Sequence, residues 1–74
     1  FKLEDGRILI TLKDLDEELL VINDDLFRNH VNDSKNDFAS WIEGVFHENE
    51  LASNIKKSRS KEDMVRTLES FGAV

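Results

Sequence analysis

The chain has no cysteine, no proline and only three glycines. Without cysteine, neither a disulfide nor a thiolate-held metal cluster can staple the fold. Few breakers suit a helix-rich chain with short links. Long apolar runs are missing as well. The longest is Leu19-Leu20-Val21-Ile22, far short of a membrane span, and no signal-peptide pattern is visible. A soluble, cytoplasmic chain is the expectation. Basic residues are outnumbered, 10 against 16, for a net charge of −6. The imbalance is local: residues 1–50 hold 5 basic and 13 acidic side chains, and residues 51–74 hold 5 and 3. An acidic body is repelled by phosphate backbones, which weighs against a nucleic-acid binder.

With 74 residues, the chain is one small domain, residues 1–74. A domain of this size buries only about 60% of its unfolded surface, so either its core suffices alone or a partner helps. Because it opens on Phe1 rather than Met, it reads as a domain excised from a longer protein. At 39% hydrophobic and 35% charged residues, the composition fits a compact helical unit rather than a disordered one.

The fold class expected is mainly α, with about five short helices in a compact bundle behind a short N-terminal β-hairpin. Asp5-Gly6 suits a two-residue hairpin turn between Phe1–Glu4 and Arg7–Ile10. Thr11, with Asp14 three residues on, marks the first helix, whose apolar face is Leu12, Leu15, Leu19, Leu20 and Ile22. Asn23 caps a second helix bearing Leu26, Phe27, His30 and Val31. Ser34 with Asp37 matches the S-x-x-D capping pattern ahead of the strongest helical face, Phe38, Trp41, Ile42, Val45 and Phe46. Gly44 inside that face predicts a close helix–helix approach. Asn49 is expected to cap a fourth helix with Leu51, Ala52 and Ile55, closed by Lys56 and Lys57 at its negative end. Ser60 and Asp63 open a fifth, with Met64, Val65, Leu68 and Phe71 apolar and Gly72 as its stop. The expected core is Phe27, Phe38, Trp41, Ile42, Val45 and Phe46.

The segments Asp5-Gly6 with Leu9 and Leu12, then Phe27, His30-Val31-Asn32, Asn36-Asp37-Phe38, Trp41-Ile42, Val45-Phe46 and Leu51-Ala52 form one pattern: D-G-x-x-L-x-x-L, then F-x-x-H-V-N-x-x-x-N-D-F-x-x-W-I-x-x-V-F-x-x-x-x-L-A. It covers nearly the whole chain and resembles a family of small archaeal and bacterial domains of unknown function. The resemblance implies a domain type and a prokaryotic source, not a mechanism. His47-Glu48-Asn49 departs from it, since the family leads us to expect a Gly-Asp-type turn there.

No motif carries a recognisable reaction. His30 sits on an apolar stripe near a helix end, so its structural reading outweighs a general-base or ligand role. In that reading it hydrogen-bonds in a polar turn formed with Asn32, Ser34, Asn36 and Asp37. His30 and His47 lack metal-ligand spacing, and Asp24-Asp25 resembles no calcium loop. Ser34 or Ser40 with His30 and Asp37 makes a triad only on paper, as no G-x-S-x-G elbow is present. No glycine-rich loop cradles a nucleotide. The expectation is therefore no enzyme, no metal and no cofactor. Phe1, Leu20, Val21 and Phe71 are the surplus apolar residues, available to a protein partner, a neighbouring domain or a second copy. The alternative is a nucleic-acid-associated helical protein using Lys56, Lys57, Arg59, Lys61 and Arg66, although no aromatic residue interleaves them for base stacking. The favoured reading is a non-catalytic protein-interaction or structural module.

Overall fold

In the computed structural model, which describes residues 1–58 and 60–73, the chain folds as five helices wrapped on one core. They are α1 (Leu12–Val21), α2 (Asp24–His30), α3 (Asp37–Trp41, continued by a π-helical turn over Ile42–Phe46), α4 (Asn49–Lys57) and α5 (Lys61–Ser70). The radius of gyration is 11.0 Å, close to the ~11 Å that scaling gives for a compact chain of this length.

The β-hairpin is not formed, and no strand occurs among the described residues. Residues 1–10 instead make a closed turn with one isolated antiparallel bridge, Lys2 to Ile8. Asp5-Gly6 does turn the chain, with Gly6 at φ +94°, and the Leu3 N–H donates to the Arg7 carbonyl at 2.8 Å. The rung next to the turn is broken at Arg7, whose N–H donates to Asp5 Oδ1 at 3.1 Å, while the Leu3 carbonyl accepts from the Gly6 N–H at 3.0 Å. Leu3 and Leu9 enter the core, 1% and 6% exposed. The pairing ends at Leu9, which exchanges bonds of 2.7 and 2.8 Å with Phe1, and the Ile10 N–H beyond it donates to the Asp14 carboxylate at 2.9 Å.

That carboxylate belongs to the cap of α1. Asp14 N–H donates to Thr11 Oγ1 at 3.1 Å, and Thr11 N–H donates back to Asp14 Oδ2 at 3.0 Å, a reciprocal capping box. Leu15, Leu19 and Ile22 are buried below it. Glu18, on the same helix, is also buried, and the Arg7 guanidinium clamps it with two bonds of 2.6 and 2.7 Å. This bidentate pair fixes the N-terminal turn to α1. Asn23 caps α2 through Leu26 N–H at 2.8 Å, and Ser60 caps α5 through Asp63 N–H at 3.1 Å.

The third and fourth helices start differently from the sequence expectation. Asn36, not Ser34, caps α3: its Oδ1 accepts from Ala39 N–H at 3.0 Å. Ser34 is spent one turn earlier, where its own N–H donates to Asn32 Oδ1 at 2.9 Å in a local Asx turn. Asn49 is the first helical residue of α4, and the residue before it, Glu48, makes no side-chain cap.

Phe38 is fully buried at the centre of an aromatic cluster. Its ring lies 5.0 Å from Phe1, 5.6 Å from His30 and 6.4 Å from Phe27. Ile42, Leu51, Ile55, Met64 and Leu68 complete the core, none more than 2% exposed. The C-terminal part of the strongest predicted face does not follow. Val45 is 58% exposed, while Trp41 and Phe46 are half-buried and pack edge-to-face on each other at 5.1 Å. The π turn explains the shift, because it closes i→i+5 bonds, places one residue more in the turn and rotates later positions off the core. Gly44 lies in this turn with open space around it, and a Cβ there meets nothing within 4 Å. It marks no close helix–helix approach. His47 ends the turn in the left-handed region, at φ 56°.

α5 packs on α1. Its first residue, Lys61, reaches the end of α1 by donating to the Ile22 carbonyl at 2.8 Å and pairing with Asp24 at 2.8 Å, so the two helices run antiparallel. At its far end Gly72 (φ +66°) stops the helix. Gly72 N–H donates to the Glu69 carbonyl and Ala73 N–H to the Leu68 carbonyl, each at 3.0 Å, the bond pair of a Schellman motif.

Candidate functional site

The densest polar constellation is the turn between α2 and α3. Its register is held by a bridge between Val31 and Asn36 and by paired bonds between Asn32 and Lys35: the Asn32 N–H donates at 2.9 Å and the Lys35 N–H at 3.4 Å. The side chains serve the backbone. Asn32 Nδ2 donates to the Arg28 carbonyl at 3.0 Å, closing the end of α2. Asn36 Nδ2 donates to the Ile55 carbonyl at 3.3 Å, tying the turn to α4.

On the inner side of the turn, His30 Nδ1 lies 2.9 Å from Asp37 Oδ2. A carboxylate only accepts, so Nδ1 carries the proton. Lys35 Nζ donates to the same oxygen at 3.1 Å. Burial pushes the Asp37 carboxyl up, but the bonds from His30 and Lys35 outweigh it and hold the group below the ordinary value. His30 Nε2 is buried with no hydrogen-bond partner, and the Phe1 ring stands edge-on to the imidazole at 5.1 Å. A carboxylate orienting one imidazole nitrogen resembles half of a catalytic relay. Here the other nitrogen is sealed beneath aromatic rings, so the pair as it stands fixes a ring in the core and offers no base to solvent. Neither Ser34 nor Ser40 bonds to it. The Ser40 hydroxyl donates instead to the Asn36 carbonyl at 3.2 Å. Among the described residues, no group of three or more His, Asp or Glu side chains could hold a metal ion.

The outer side of the turn forms one wall of a cleft of about 770 Å³, and the C-terminal turn of α4 forms the other. Arg28, Lys35, Lys56 and Lys57 line it together with Phe27 and Val31. Asp33 is the one carboxylate in the lining. Of the sequence-predicted basic cluster, Lys56 and Lys57 line this cleft. Lys61 is engaged with Asp24, Arg66 lies 3.5 Å from Asp63, and Arg59 falls outside the described residues. Arg28 and Lys35 lie more than twenty residues upstream of Lys56 in sequence, so no local spacing joins them.

Of the surplus apolar residues, Phe1 is half-buried, with its ring against those of His30, Phe38 and Trp41. Leu20 and Val21 are 66% and 72% exposed, and Phe71 40%. Ile8 and Ile10 are exposed too, because Leu9 between them takes the inward position. Leu20 borders a groove of about 460 Å³ between α1 and α5, with Val65 at its base and Lys61, Glu62, Arg66 and Glu69 around it. No helix among the described residues is long and apolar enough to cross a membrane. In comparisons with known proteins, no family model, no curated protein and no solved structure matches the chain.

Proposed function

We propose that this chain is a non-catalytic protein-interaction module that associates with a second copy of itself through the α1–α5 face. One observation carries the reading: Leu20 and Val21, adjacent residues on a helix whose Leu15 and Leu19 lie in the core, stand largely in solvent. Covering a side chain of this kind contributes about 1.5–3 kcal/mol when burial is complete. The groove beside Leu20 carries two cations and two anions, Lys61 and Arg66 with Glu62 and Glu69. A surface with both signs around an apolar centre can pair with its own two-fold copy.

Sedimentation velocity over a wide concentration range tests this. The expected result is a monomer–dimer equilibrium that Leu20→Glu shifts to monomer while the helical circular dichroism is retained. A strictly monomeric wild-type chain at high concentration overturns the proposal, as does a dimer that Leu20→Glu leaves intact.

A further inference from the structure

A separate face carries a second inference, which does not rest on the α1–α5 reading. We infer that the cleft between the α2–α3 turn and the end of α4 is a docking groove for an acidic peptide segment of a partner protein. On a chain of net charge −6, four cations gather here around one carboxylate, Asp33. Arg28, Lys56 and Lys57 are exposed and have no ion-pair partner among the described residues.

Cations at helix C-termini ordinarily serve the free carbonyls there, but here other groups do that. Asn32 takes the Arg28 carbonyl, the Ser58 hydroxyl takes the Asn54 carbonyl at 3.0 Å, and the Ile55 carbonyl accepts from both Ser58 N–H and Asn36. The Lys56 and Lys57 ammonium groups and the Arg28 guanidinium are therefore left for an external anion, while Lys35 is shared with Asp37. Arg28 offers the planar fork that grips a carboxylate through two bonds. Val31, half-buried in the lining, offers contact to an aliphatic side chain.

The shape favours an extended chain over a single ion. A second hollow of about 470 Å³ between α3 and α4 adjoins the cleft, and the two share Ser34, Lys35, Asn36 and Lys56. Farther along α3 and α4 the hollow's lining is Ala39, Ser40, Ala52 and Ser53, with Glu43 and Asn49 at the opposite end of these segments from Asn36 and Lys56. The groove thus changes sign along its length. A peptide with acidic residues at one end fits that pattern. A nucleic acid, charged at every phosphate, would run into Glu43 and then the acidic remainder of the surface, and no exposed aromatic ring lies in the cleft for base stacking.

The test is a titration of the ¹⁵N-labelled chain with a capped pentapeptide of four glutamates around a central leucine. A lysine-for-glutamate version and a short oligothymidylate serve as comparison probes. The acidic peptide is expected to shift the amides of Arg28, Val31 to Lys35 and Lys56 to Ser58. Raising the salt should weaken binding. The double change Lys56→Gln and Lys57→Gln should weaken it about three- to ten-fold, the scale of two exposed charge pairs. Both lysines are exposed and Gln keeps the helix propensity, so the fold should survive, and the unperturbed core amides report that it has. The inference is overturned by no shift at millimolar peptide, by shifts elsewhere on the surface, by equal affinity in the double variant, or by tighter binding of the oligothymidylate.

Discussion

Replacing Asn36 by Ala removes two bonds that hold the polar turn in place. Oδ1 no longer accepts from Ala39 N–H, leaving the first turn of α3 with an uncapped donor. Losing a cap of this type costs about 0.5–2 kcal/mol. Nδ2 no longer reaches the Ile55 carbonyl, but that carbonyl keeps the Ser58 N–H at 3.1 Å, so the second loss adds only about 0.5 kcal/mol of an ordinary neutral bond. The expected total is about 1–2.5 kcal/mol, which at ~4–8 °C per kcal/mol is a fall in Tm of roughly 4–20 °C. The informative control is Ser34→Ala. The Ser34 hydroxyl caps nothing, and the bond at that residue comes from its backbone N–H, so the change should stay within about 0.5 kcal/mol. Thermal and urea unfolding followed by far-UV circular dichroism measures both. If Ser34→Ala proved as damaging as Asn36→Ala, the helix would start at Ser34, and the reasoning about this turn would fail.

His47→Gly should stabilise the chain by up to about 1 kcal/mol, since it relieves a left-handed backbone (φ 56°) at a helix end, less the entropy glycine loses on folding; the urea midpoint reads this. Gly44→Ala should add about 0.4–1 kcal/mol, because the site has room for a Cβ and a negative φ; an unchanged or lower midpoint would show that the π turn depends on glycine. Asp37 titrates below its reference value of 3.8 in the fold, so its contribution is complete above that pH and is lost as pH falls through the lower folded value. The Tm difference between the wild type and Asp37→Asn should therefore be constant near neutrality and close below about pH 4, and a gap that persisted in acid would contradict this account.

Helices were legible where the signal is local. Thr11 with Asp14, Asn23, and Ser60 with Asp63 each cap within three residues, so spacing alone identifies them. The hairpin shrank to one bridge because groups in its own turn compete for the adjoining rung: the Asp5 carboxylate takes the Arg7 N–H, and the Gly6 N–H takes the Leu3 carbonyl. Ser34 matched the S-x-x-D pattern, but Asn36 takes the cap, at the position where the Val31–Asn36 bridge ends the turn. Val45 and Phe46 were assigned to the core on a period of 3.6, and a π turn breaks that period without changing composition. The cation cleft was invisible for a different reason. Arg28 and Lys35 meet Lys56 and Lys57 only through the packing of the turn against α4, and no pattern in the chain encodes that contact.

The turn between α2 and α3 therefore joins the buried and exposed sides of the molecule. Asp37 receives His30 from within and Lys35 from the surface on one oxygen atom, Oδ2. Lys35 belongs at once to this pair and to the cleft lining. An acidic segment bound in the cleft would compete with Asp37 for the Lys35 ammonium, and the loss of that bond would remove one of the two interactions that hold Asp37 ionised against its burial. Occupancy of the surface and the geometry of the His30 ring are thus coupled through a single carboxylate. This coupling runs through Lys35, so Lys35→Gln should leave the His30–Asp37 bond in place while abolishing the response of the His30 ring resonances to peptide. If the ring resonances still moved in that variant, the signal would have to travel through the backbone of the turn instead.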